Sequence, residues 1–306
     1  MKPFKLTILG SNSAVPAFNR YPTAQILALN NAKYMIDCGE GAQFQLSKFN
    51  IKRSGLNHIF ISHLHGDHYL GLVGLLSTLK LNSRKENLHV YGPAYLKKII
   101  DVQLDYDARK DTGFEIIFHA LEFGKSEKSM EDEQIEVYTI PLDHKVECNG
   151  FLFKEKEGSR KIIFEKIQEY NIPTHKIKAI KLGADFVAED GTVIDNNILT
   201  AEPSKPRSYA YCSDTKYSES IIPIIKEANL LYHESTFMHD LQIIAAERYH
   251  STSIEAAKIA KLANVKKLAI GHFSARYRNL EPMLAEAKTV FENTELGIEG
   301  TVFEIG

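Results

Sequence analysis

The chain has 306 residues, of which 44% are hydrophobic and 25% are charged, as in ordinary soluble globular proteins. This composition excludes a disordered chain, a collagen and a coiled coil, and the length allows one large domain or two average ones. The formal net charge is −2, so a nucleic-acid partner would have to bind a local basic patch. Three cysteines far apart in sequence indicate a reducing compartment, and we expect a soluble cytoplasmic protein.

Short apolar runs alternate with helical patterns along the chain. The predicted strands are Lys5–Leu9, Gln25–Leu29, Lys33–Ile36, His58–Ile61, Leu88–Tyr91, Phe114–His119, Ile135–Ile140, Tyr209–Cys212, Leu230–Tyr232, Lys267–Ile270 and Thr301–Ile305. The predicted helices are Leu70–Leu81, Tyr95–Leu104, Glu219–Ala228, Leu241–Arg248, Ile254–Leu262 and Glu281–Glu292. The most apolar of these helices, Leu70–Leu81, is about half as long as a membrane span, so no membrane partner is expected. Because strands and helices interleave without a break in composition, we predict one α/β domain over residues 1–306.

The second and third predicted strands are separated by Asn30 and Asn31, which predicts a hairpin with its turn at these two residues.

Residues 150–207 differ from the rest of the chain because they are polar and interrupted by glycines and prolines. Between Lys154 and Lys181 there are eight Lys or Arg and four Glu, a local balance of +4. One interpretation is a solvated surface loop with a short helix. The other is an insertion that attracts a polyanion. Its candidate contact residues are Lys161, Lys166, Lys176, Lys178 and Lys181.

Three histidines and one aspartate occupy six positions directly after the His58–Ile61 strand, in Ser62-His63-Leu64-His65-Gly66-Asp67-His68. Side chains two apart share a face of an extended segment, and Gly66 allows Asp67 and His68 to fold back towards the same point. Imidazole and carboxylate groups are expected ligands of zinc or a similar divalent ion. Four ligands so close in sequence cannot easily surround one tetrahedral ion. We therefore expect two ions that share this segment and take other ligands from elsewhere.

Three further candidate ligands, His144, Asp214 and His272, each follow an apolar run and precede a turn or a helix. Taken singly, such a residue is more often a polar strand end than a ligand. Because all three stand at strand ends, they should lie on one rim of the sheets, and this recurrence favours a metal site there.

The His63-x-His65-x-Asp67-His68 motif resembles the signature of the metallo-β-lactamase superfamily. Other blocks resemble ribonuclease Z, its family of tRNA 3′-processing endonucleases: Leu9–Pro16 with Arg20 and Thr23-Ala24, Asp37–Leu46, His233–Phe237, His250–Ala257 and His272–Tyr277. The resemblance covers nearly the whole chain and implies a four-layer αβ/βα sandwich, usually a homodimer. It also implies a ligand set in which one metal takes His63, His65 and His144, the second takes Asp67, His68 and His272, and Asp214 and a hydroxide bridge both.

The implied activity is that of a zinc-dependent endoribonuclease, with two Zn²⁺ or other divalent ions per chain, that hydrolyses precursor tRNA to remove its 3′ trailer. Two divalent ions lower the pKa of a bridging water, so that hydroxide is available near neutral pH. Asp67 is the expected general base. His250 is the expected donor to the phosphate or the leaving 3′-oxygen, with Glu234 orienting it. Asp37 and Glu40 are expected partners of the metal-binding histidines.

The basic segment falls where ribonuclease Z enzymes carry a substrate-binding arm, although the Gly-Pro pair common in that arm is absent from Asn171–Lys176. Two alternatives share the same site. One is a phosphodiesterase, lactonase or similar hydrolase of small molecules, which would have no use for the arm. The other is a metal-bearing RNA-binding protein without turnover, for which the complete ligand set with Glu234 and His250 is hard to explain.

Overall fold

The computed structural model describes residues 3–104 and 113–306 of the chain. Strands are numbered β1 to β18 and helices α1 to α11 in chain order. The first sheet has the strand order β18-β1-β2-β3-β4-β5-β6. Its strands are β1 (Phe4–Gly10), β2 (Ala24–Leu29), β3 (Ala32–Cys38), β4 (Leu56–Phe60), β5 (Leu88–Gly92), β6 (Ile116–Ala120) and β18 (Val302–Glu304). Neighbours from β3 to β6 are parallel, and those from β18 to β3 are antiparallel.

The second sheet also has seven strands, in the order β17-β16-β15-β14-β9-β8-β7. Its strands are β7 (Lys128–Glu131), β8 (Ile135–Pro141), β9 (Asn149–Glu155), β14 (Ser208–Cys212), β15 (Leu230–Glu234), β16 (Leu268–Gly271) and β17 (Thr294–Leu296). The strands from β14 to β17 are parallel, so their carboxyl ends reach the same edge of the sheet. The loops that follow these strands are therefore gathered at one rim.

The two sheets pack face to face through a layer of buried apolar side chains that alternate along their strands. On β1 these are Phe4, Leu6 and Ile8, and on β14 they are Tyr209 and Tyr211, each at most 1% exposed. Alternation places residues i and i+2 on the same face, which explains why one face of each strand is apolar. Each fully buried side chain of this kind stabilises the fold by roughly 1.5–3 kcal/mol.

Helices cover the outer face of each sheet. The first sheet is covered by α1 (Ala42–Lys48), α2 (Gly66–Tyr69), α3 (Leu72–Leu81) and α4 (Ala94–Leu104), and the second by α8 (Ile222–Ile225), α9 (Gln242–Glu247), α10 (Ser253–Leu262) and α11 (Glu281–Lys288). Two 3₁₀ turns, Glu219–Ile221 and His239–Leu241, lead into α8 and α9. The order helix, sheet, sheet, helix is the four-layer α/β sandwich that the sequence resemblance implied. No helix within the described ranges has the length and apolar character that a membrane span requires.

Helix α10 begins at a capping box that also positions the residues before it. The Thr252 side chain accepts a hydrogen bond from the Glu255 amide, and the Glu255 carboxylate accepts one from the Thr252 amide at 2.9 Å. These bonds satisfy two amide groups at the start of the helix and fix the entry of the chain. His250 and Ser251 are consequently held at a defined place beside the strand ends.

Every predicted strand is present, with each end within two residues of its predicted place. The hairpin at Asn30 is confirmed, because Leu29 pairs with Ala32 and Asn30 has the positive φ of 55° that such a turn needs. Sequence patterns missed β7, β9, β17 and α1, which are short or lack clear alternation.

Two predicted helices end earlier in the structure than expected. The helix predicted to reach Ala228 ends at Ile225, since Glu227 has a φ of 59° and its amide donates to the Ala263 carbonyl instead. The helix predicted to reach Glu292 ends at Lys288. There the Thr289 hydroxyl donates to the Glu286 carbonyl, a side-chain bond that competes with helix continuation.

Residues 155–206 form a compact unit separate from the unit that contains both sheets. It contains α5 (Phe164–Glu169), α6 (Thr174–Lys181), α7 (Asn196–Leu199) and two strand pairs, β10 (Lys161–Ile162) with β13 (Thr200–Ala201) and β11 (Phe186–Val187) with β12 (Val193–Ile194). Its own small core consists of Ile172, Ile180, Phe186, Ile194 and Leu199. The sequence sets residues 150–207 apart as one distinct segment. The first residues of that segment belong to β9, which is a strand of the second sheet.

Candidate metal centre

Seven His and Asp side chains converge where strands of the two sheets end. His63, His65, Asp67 and His68 follow β4, His144 follows β8, Asp214 follows β14, and His272 follows β16. The structure therefore brings together all seven ligand candidates of the sequence. Ligand atoms lie within 4.8 Å of one another in the group of His63, His65, His144 and Asp214 and in the group of Asp67, His68 and His272, and a third set, Asp214, His250 and His272, has the same spacing.

The first group consists of three imidazoles and one carboxylate oxygen. His65 Nδ1 lies 2.9 Å from His63 Nε2 and 3.2 Å from His144 Nε2. Asp214 Oδ2 lies 3.6 Å from both His63 Nε2 and His144 Nε2. Ligands about 2.05 Å from a tetrahedral ion are separated by about 3.3 Å, so this group has the spacing of a tetrahedral divalent-ion site.

The second group contains Asp67, His68, His272 and the other oxygen of Asp214. Asp67 Oδ2 lies 3.5 Å from both His68 Nε2 and His272 Nε2. Asp214 Oδ1 lies 3.3 Å from His68 Nε2 and 3.0 Å from His272 Nε2. Both nitrogens are buried and lack a partner with hydrogen-bonding geometry. Unpaired buried nitrogens are costly unless an ion is bound, so this donor set also fits a divalent cation.

The protonation states of the first group suit ligands. Burial, together with neighbouring imidazoles, lowers the pKa of His63 well below its usual value, and burial also lowers the pKa of His65 and His144. These rings are therefore neutral and offer a lone pair. Burial alone would raise the pKa of Asp214, but His272 and His68 hold it well below the usual range, so the carboxylate is ionised.

Asp37 holds His68 of the second group in place through the ring nitrogen Nδ1. Its Oδ2 lies 2.7 Å from His68 Nδ1 and accepts hydrogen bonds from the Tyr211 hydroxyl at 2.5 Å and the Ser62 hydroxyl at 2.9 Å. Its Oδ1 accepts a bond of 2.8 Å from the Ser62 amide. A carboxylate on Nδ1 fixes the ring so that Nε2 points at the ligand position. The expected contact between Asp37 and a metal-binding histidine is thus present, whereas Glu40 is exposed.

Replacing Asp37 by Asn should destabilise the protein strongly even without metal. Asn tolerates the left-handed backbone found here, with φ at 54°, but its amide group cannot accept bonds from Tyr211, Ser62 and His68 together. Loss of charged, buried hydrogen bonds should lower the free energy of unfolding by about 3 kcal/mol, measured by urea denaturation in chelator. Glu304→Gln, at an exposed ion pair with Lys5, is the control, with an expected change below about 0.5 kcal/mol. Equal values for both variants would contradict this account.

A second series of polar contacts, through Thr236 and Glu234, holds His272 and His250. The Thr236 hydroxyl donates to Glu234 Oε2 at 2.6 Å and lies 3.0 Å from His272 Nδ1. The other oxygen of Glu234 lies 2.7 Å from His250 Nδ1. Burial lowers the pKa of His250, but the Glu234 carboxylate outweighs it and raises that pKa to about 9. The sequence-predicted Glu234–His250 pair is therefore in contact, with His250 positively charged at neutral pH.

His250 lies at the edge of the candidate metal centre. Its ring centroid is 5.4 Å from that of His144 and 5.5 Å from that of His272. His250 also belongs, with Asp214 and His272, to a set whose ligand atoms lie within 4.8 Å of one another. The loop at residues 11–22 also contacts the candidate metal centre, because the Ala14 amide donates a hydrogen bond to Asp67 Oδ2 at 2.8 Å.

Two proposed ligands have strained backbones. Asp214 and His272 have φ of 56° and 57°, in the left-handed region. Non-glycine residues there cost of order 1–3 kcal/mol, and such outliers cluster at functional sites.

Sequence reasoning missed Ser62, Thr236 and Tyr211. Ser62 directly precedes His63, Thr236 lies two residues after Glu234, and Tyr211 lies three residues before Asp214. In each case the signal was a hydroxyl side chain within three residues of a ligand or catalytic candidate.

The arm lysines belong to the compact unit of residues 155–206. Lys161, Lys176 and Lys178 are exposed, whereas Lys166 and Lys181 are half-buried and Lys166 pairs with Glu169 at 2.7 Å. Where the Gly-Pro pair is absent, Asn171 makes the turn between α5 and α6 with a φ of 51°, and Pro173 precedes α6.

Comparisons with known proteins agree with this geometry. A family model described as Anti-Pycsar protein Apyc1 matches residues 4–167, which include the motif at His63 but not Asp214 or His272. Ribonuclease Z of Cytophaga hutchinsonii is 48% identical over 306 residues, covering 99% of this chain and 96% of its own. Ribonuclease Z of Parabacteroides distasonis is 45% identical over 304 residues, covering 98% of each chain.

Among solved structures, the short form of human tRNase Z is 25% identical, covers 99% of both chains and superposes with a TM-score of 0.72. The first half of the chain thus fits the Apyc1 model, and full-length similarity that includes every ligand candidate is found with ribonuclease Z. The chain belongs to the ribonuclease Z family.

Proposed function

We propose that this protein is a metal-dependent endoribonuclease that removes the 3′ trailer of precursor tRNA in the cytoplasm. The observation that carries the proposal is the Asp214 carboxylate, whose two oxygens face two different groups of imidazole nitrogens. This arrangement supports two ions per chain with one bridging ligand. Nitrogen and carboxylate ligands with tetrahedral spacing favour zinc. Similarity to ribonuclease Z supports the choice of substrate.

When bound, two divalent ions supply an activated water and neutralise charge on the scissile phosphate. The protein's own groups provide the remaining chemistry. Asp67 is positioned to accept a proton from the attacking water, with the Ala14 amide orienting its carboxylate. His250, held and charged by Glu234, is positioned to donate a proton to the leaving 3′-oxygen.

The direct test is incubation of the purified protein with a 3′-extended precursor tRNA, with and without chelator. We expect one cut at the 3′ end of the mature domain, lost in chelator and restored by Zn²⁺. Cleavage of small phosphodiesters only, with intact precursor tRNA, would instead assign the protein to the hydrolases of small molecules that share the fold. Binding of tRNA without any cut would indicate a protein without turnover.

We also propose that the protein is a homodimer, as the family resemblance implies. Phe44 in α1 and Leu70 between α2 and α3 expose 70% and 59% of their surface on the helical layer of the first sheet. Exposed apolar side chains of this size are frequent at protein interfaces.

The basic unit of residues 155–206 is proposed to bind the tRNA backbone. Changing Lys161, Lys166, Lys176, Lys178 and Lys181 to Gln should weaken precursor tRNA binding, because lysine–phosphate contacts release counterions. The slope of log affinity against log salt should flatten by about 0.7–0.9 for each lost contact. Filter binding at several salt concentrations measures both effects.

A matched control removes five lysines elsewhere: Lys226, Lys258, Lys261, Lys266 and Lys288, which lie on the helical layer of the second sheet. The control should keep the salt slope of the parent protein. Deleting residues 156–205 should likewise impair tRNA cleavage yet spare hydrolysis of an activated small diester. Unchanged tRNA cleavage in both arm variants would refute the proposed role, and loss of small-diester hydrolysis would show that the unit serves folding.

A further inference from the structure

A surface cavity of about 510 Å³ opens beside the first ligand group, and the chemistry described above does not use it. Leu64, which lies between two ligands in the chain, forms part of its wall. Val146 and Glu147 form another part, just after His144. They precede Cys148, whose sulfur lies 3.6 Å from His63 Nδ1. The cavity wall therefore includes residues next in sequence, or nearly so, to three ligand candidates, and the cavity has the size of a small-molecule site.

The remaining wall comes from the start of α4. Tyr95 is 61% exposed, and Lys98 Nζ lies 5.3 Å from the centroid of its ring. An aromatic ring so exposed adds little to the core, but it provides a flat surface for a ligand. Val146, 40% exposed, adds a second apolar surface.

The cavity combines three kinds of group: an exposed ring with apolar neighbours, the cation of Lys98, and the carboxylate of Glu147. A flat nucleobase stacks on such a ring, and every base offers this face. The lysine attracts phosphate, and the carboxylate accepts hydrogen bonds from amino groups or a ribose 2′-hydroxyl. Inorganic phosphate would use only the lysine, so the combination favours a nucleotide.

We propose that this cavity binds the unpaired nucleotide next to the scissile phosphodiester of the RNA substrate, with its base stacked on Tyr95. The proposal rests on the function proposed above and names a binding site within it. Cleavage places the scissile phosphate at the two ligand groups, and the next nucleotide then lies near Leu64 and Val146, which stand beside His63, His65 and His144 in the chain and line the cavity. Unpaired bases at RNA ends are commonly bound by stacking on aromatic side chains.

The test pairs protein variants with substrates that lack single bases. Tyr95→Ala should lower kcat/KM for precursor tRNA by about tenfold, mainly through KM, while Tyr95→Phe should restore it, because stacking needs only the ring. An abasic nucleotide on one side of the cut should cause a similar loss with the parent protein. If the missing base is the one that stacks on Tyr95, the Tyr95→Ala variant should cleave the abasic substrate no more slowly than it cleaves the complete substrate. The side of the cut for which this holds identifies the bound nucleotide.

Lys97→Gln is the matched control for Lys98→Gln, because Lys97 is the preceding residue on α4 and pairs with Asp101 at 2.6 Å. Lys98→Gln should raise KM several-fold, and Lys97→Gln should not. The proposal would be overturned if the loss from Tyr95→Ala and the loss from the missing base multiplied for the abasic substrates on both sides of the cut. It would also be overturned if Tyr95→Phe were as impaired as Tyr95→Ala.

A second measurement does not depend on tRNA cleavage. Adenosine 5′-monophosphate and inorganic phosphate are compared as inhibitors of bis(p-nitrophenyl) phosphate hydrolysis. Tyr95→Ala should raise the inhibition constant of the nucleotide about tenfold and leave that of phosphate unchanged. Equal changes in the inhibition constants of both inhibitors would refute the proposed nucleotide site. Failure of the parent protein to cut precursor tRNA would refute the proposed function alone, since this comparison still reports on base binding.

Discussion

The purified protein is expected to hold close to two divalent ions per chain, and Asp214→Ala should lose more than one of them. The reason is geometric, since Asp214 Oδ2 faces the first ligand group and Oδ1 faces the second. Removal of the side chain takes a ligand from both sites and removes one of the carboxylates that face His68 and His272. Metal analysis after dialysis should show this loss, and turnover should fall by a factor of about 10³ or more.

Backbone strain complicates this variant, because Asp214 has a left-handed conformation that Ala adopts poorly. Asp214→Asn separates the two effects, since Asn tolerates that conformation and has nearly the same shape but no charge. It should fold normally and still lose metal. Asp143→Ala is the control, a neighbouring strand-end carboxylate that pairs with Lys216 at 3.1 Å. One tightly held ion that persists in both Asp214 variants would eliminate the dinuclear model.

The position of the candidate site was predictable because the sequence places its ligand candidates after apolar runs. Parallel strands of one sheet end at a common edge, so Asp214 and His272, after β14 and β16, had to approach one another once the strands paired. His63 follows β4 of the other sheet, and its approach to them depends on how the two sheets pack. Spacing alone could not show which oxygen of Asp214 faces which histidine. That depends on a left-handed backbone at Asp214, and such a conformation has no pattern in the sequence.

The supporting contacts were harder to predict than the ligands. Asp37 and Tyr211 are 174 residues apart in sequence and meet only because the two sheets pack face to face. Hydrophobic periodicity predicts which face of a strand is buried, but not which polar group it meets across the core. For the same reason, β9 looked like part of a polar insertion, although Phe151 and Phe153 are fully buried.

The compact unit of residues 155–206 shows another limit of sequence patterns. Its charge was visible, but its core depends on dispersed residues such as Ile172, Ile180 and Phe186, which follow no simple period. Asn196 is buried and donates to the carbonyls of Ile180 and Ala184, so a polar residue helps to hold the unit together. Such contacts are set by the tertiary structure of the unit.

His250→Ala should reduce turnover of precursor tRNA by a factor of about 10²–10⁴ while leaving the metal content unchanged. The proposed ligand groups are complete without His250, and its Nδ1 is bound to Glu234 at 2.7 Å. Metal loss in this variant would mean that His250 is a ligand. His239→Ala is the matched control, a nearby histidine whose Nδ1 contacts the Thr252 hydroxyl at 3.1 Å, and it should stay within about twofold of the parent protein.

Substrates with different leaving groups distinguish a His250 that donates a proton from a His250 that only positions the phosphate. A ribose 3′-oxygen is a poor leaving group that needs a proton, whereas p-nitrophenolate leaves without one. His250→Ala should therefore cost less than about tenfold with bis(p-nitrophenyl) phosphate. Glu234→Gln should behave like a weaker His250 variant on both substrates, because it removes the carboxylate that holds the ring and keeps it protonated. An equal loss on both substrates would show that His250 positions the phosphate, and proton donation to the leaving oxygen would then have to come from another group.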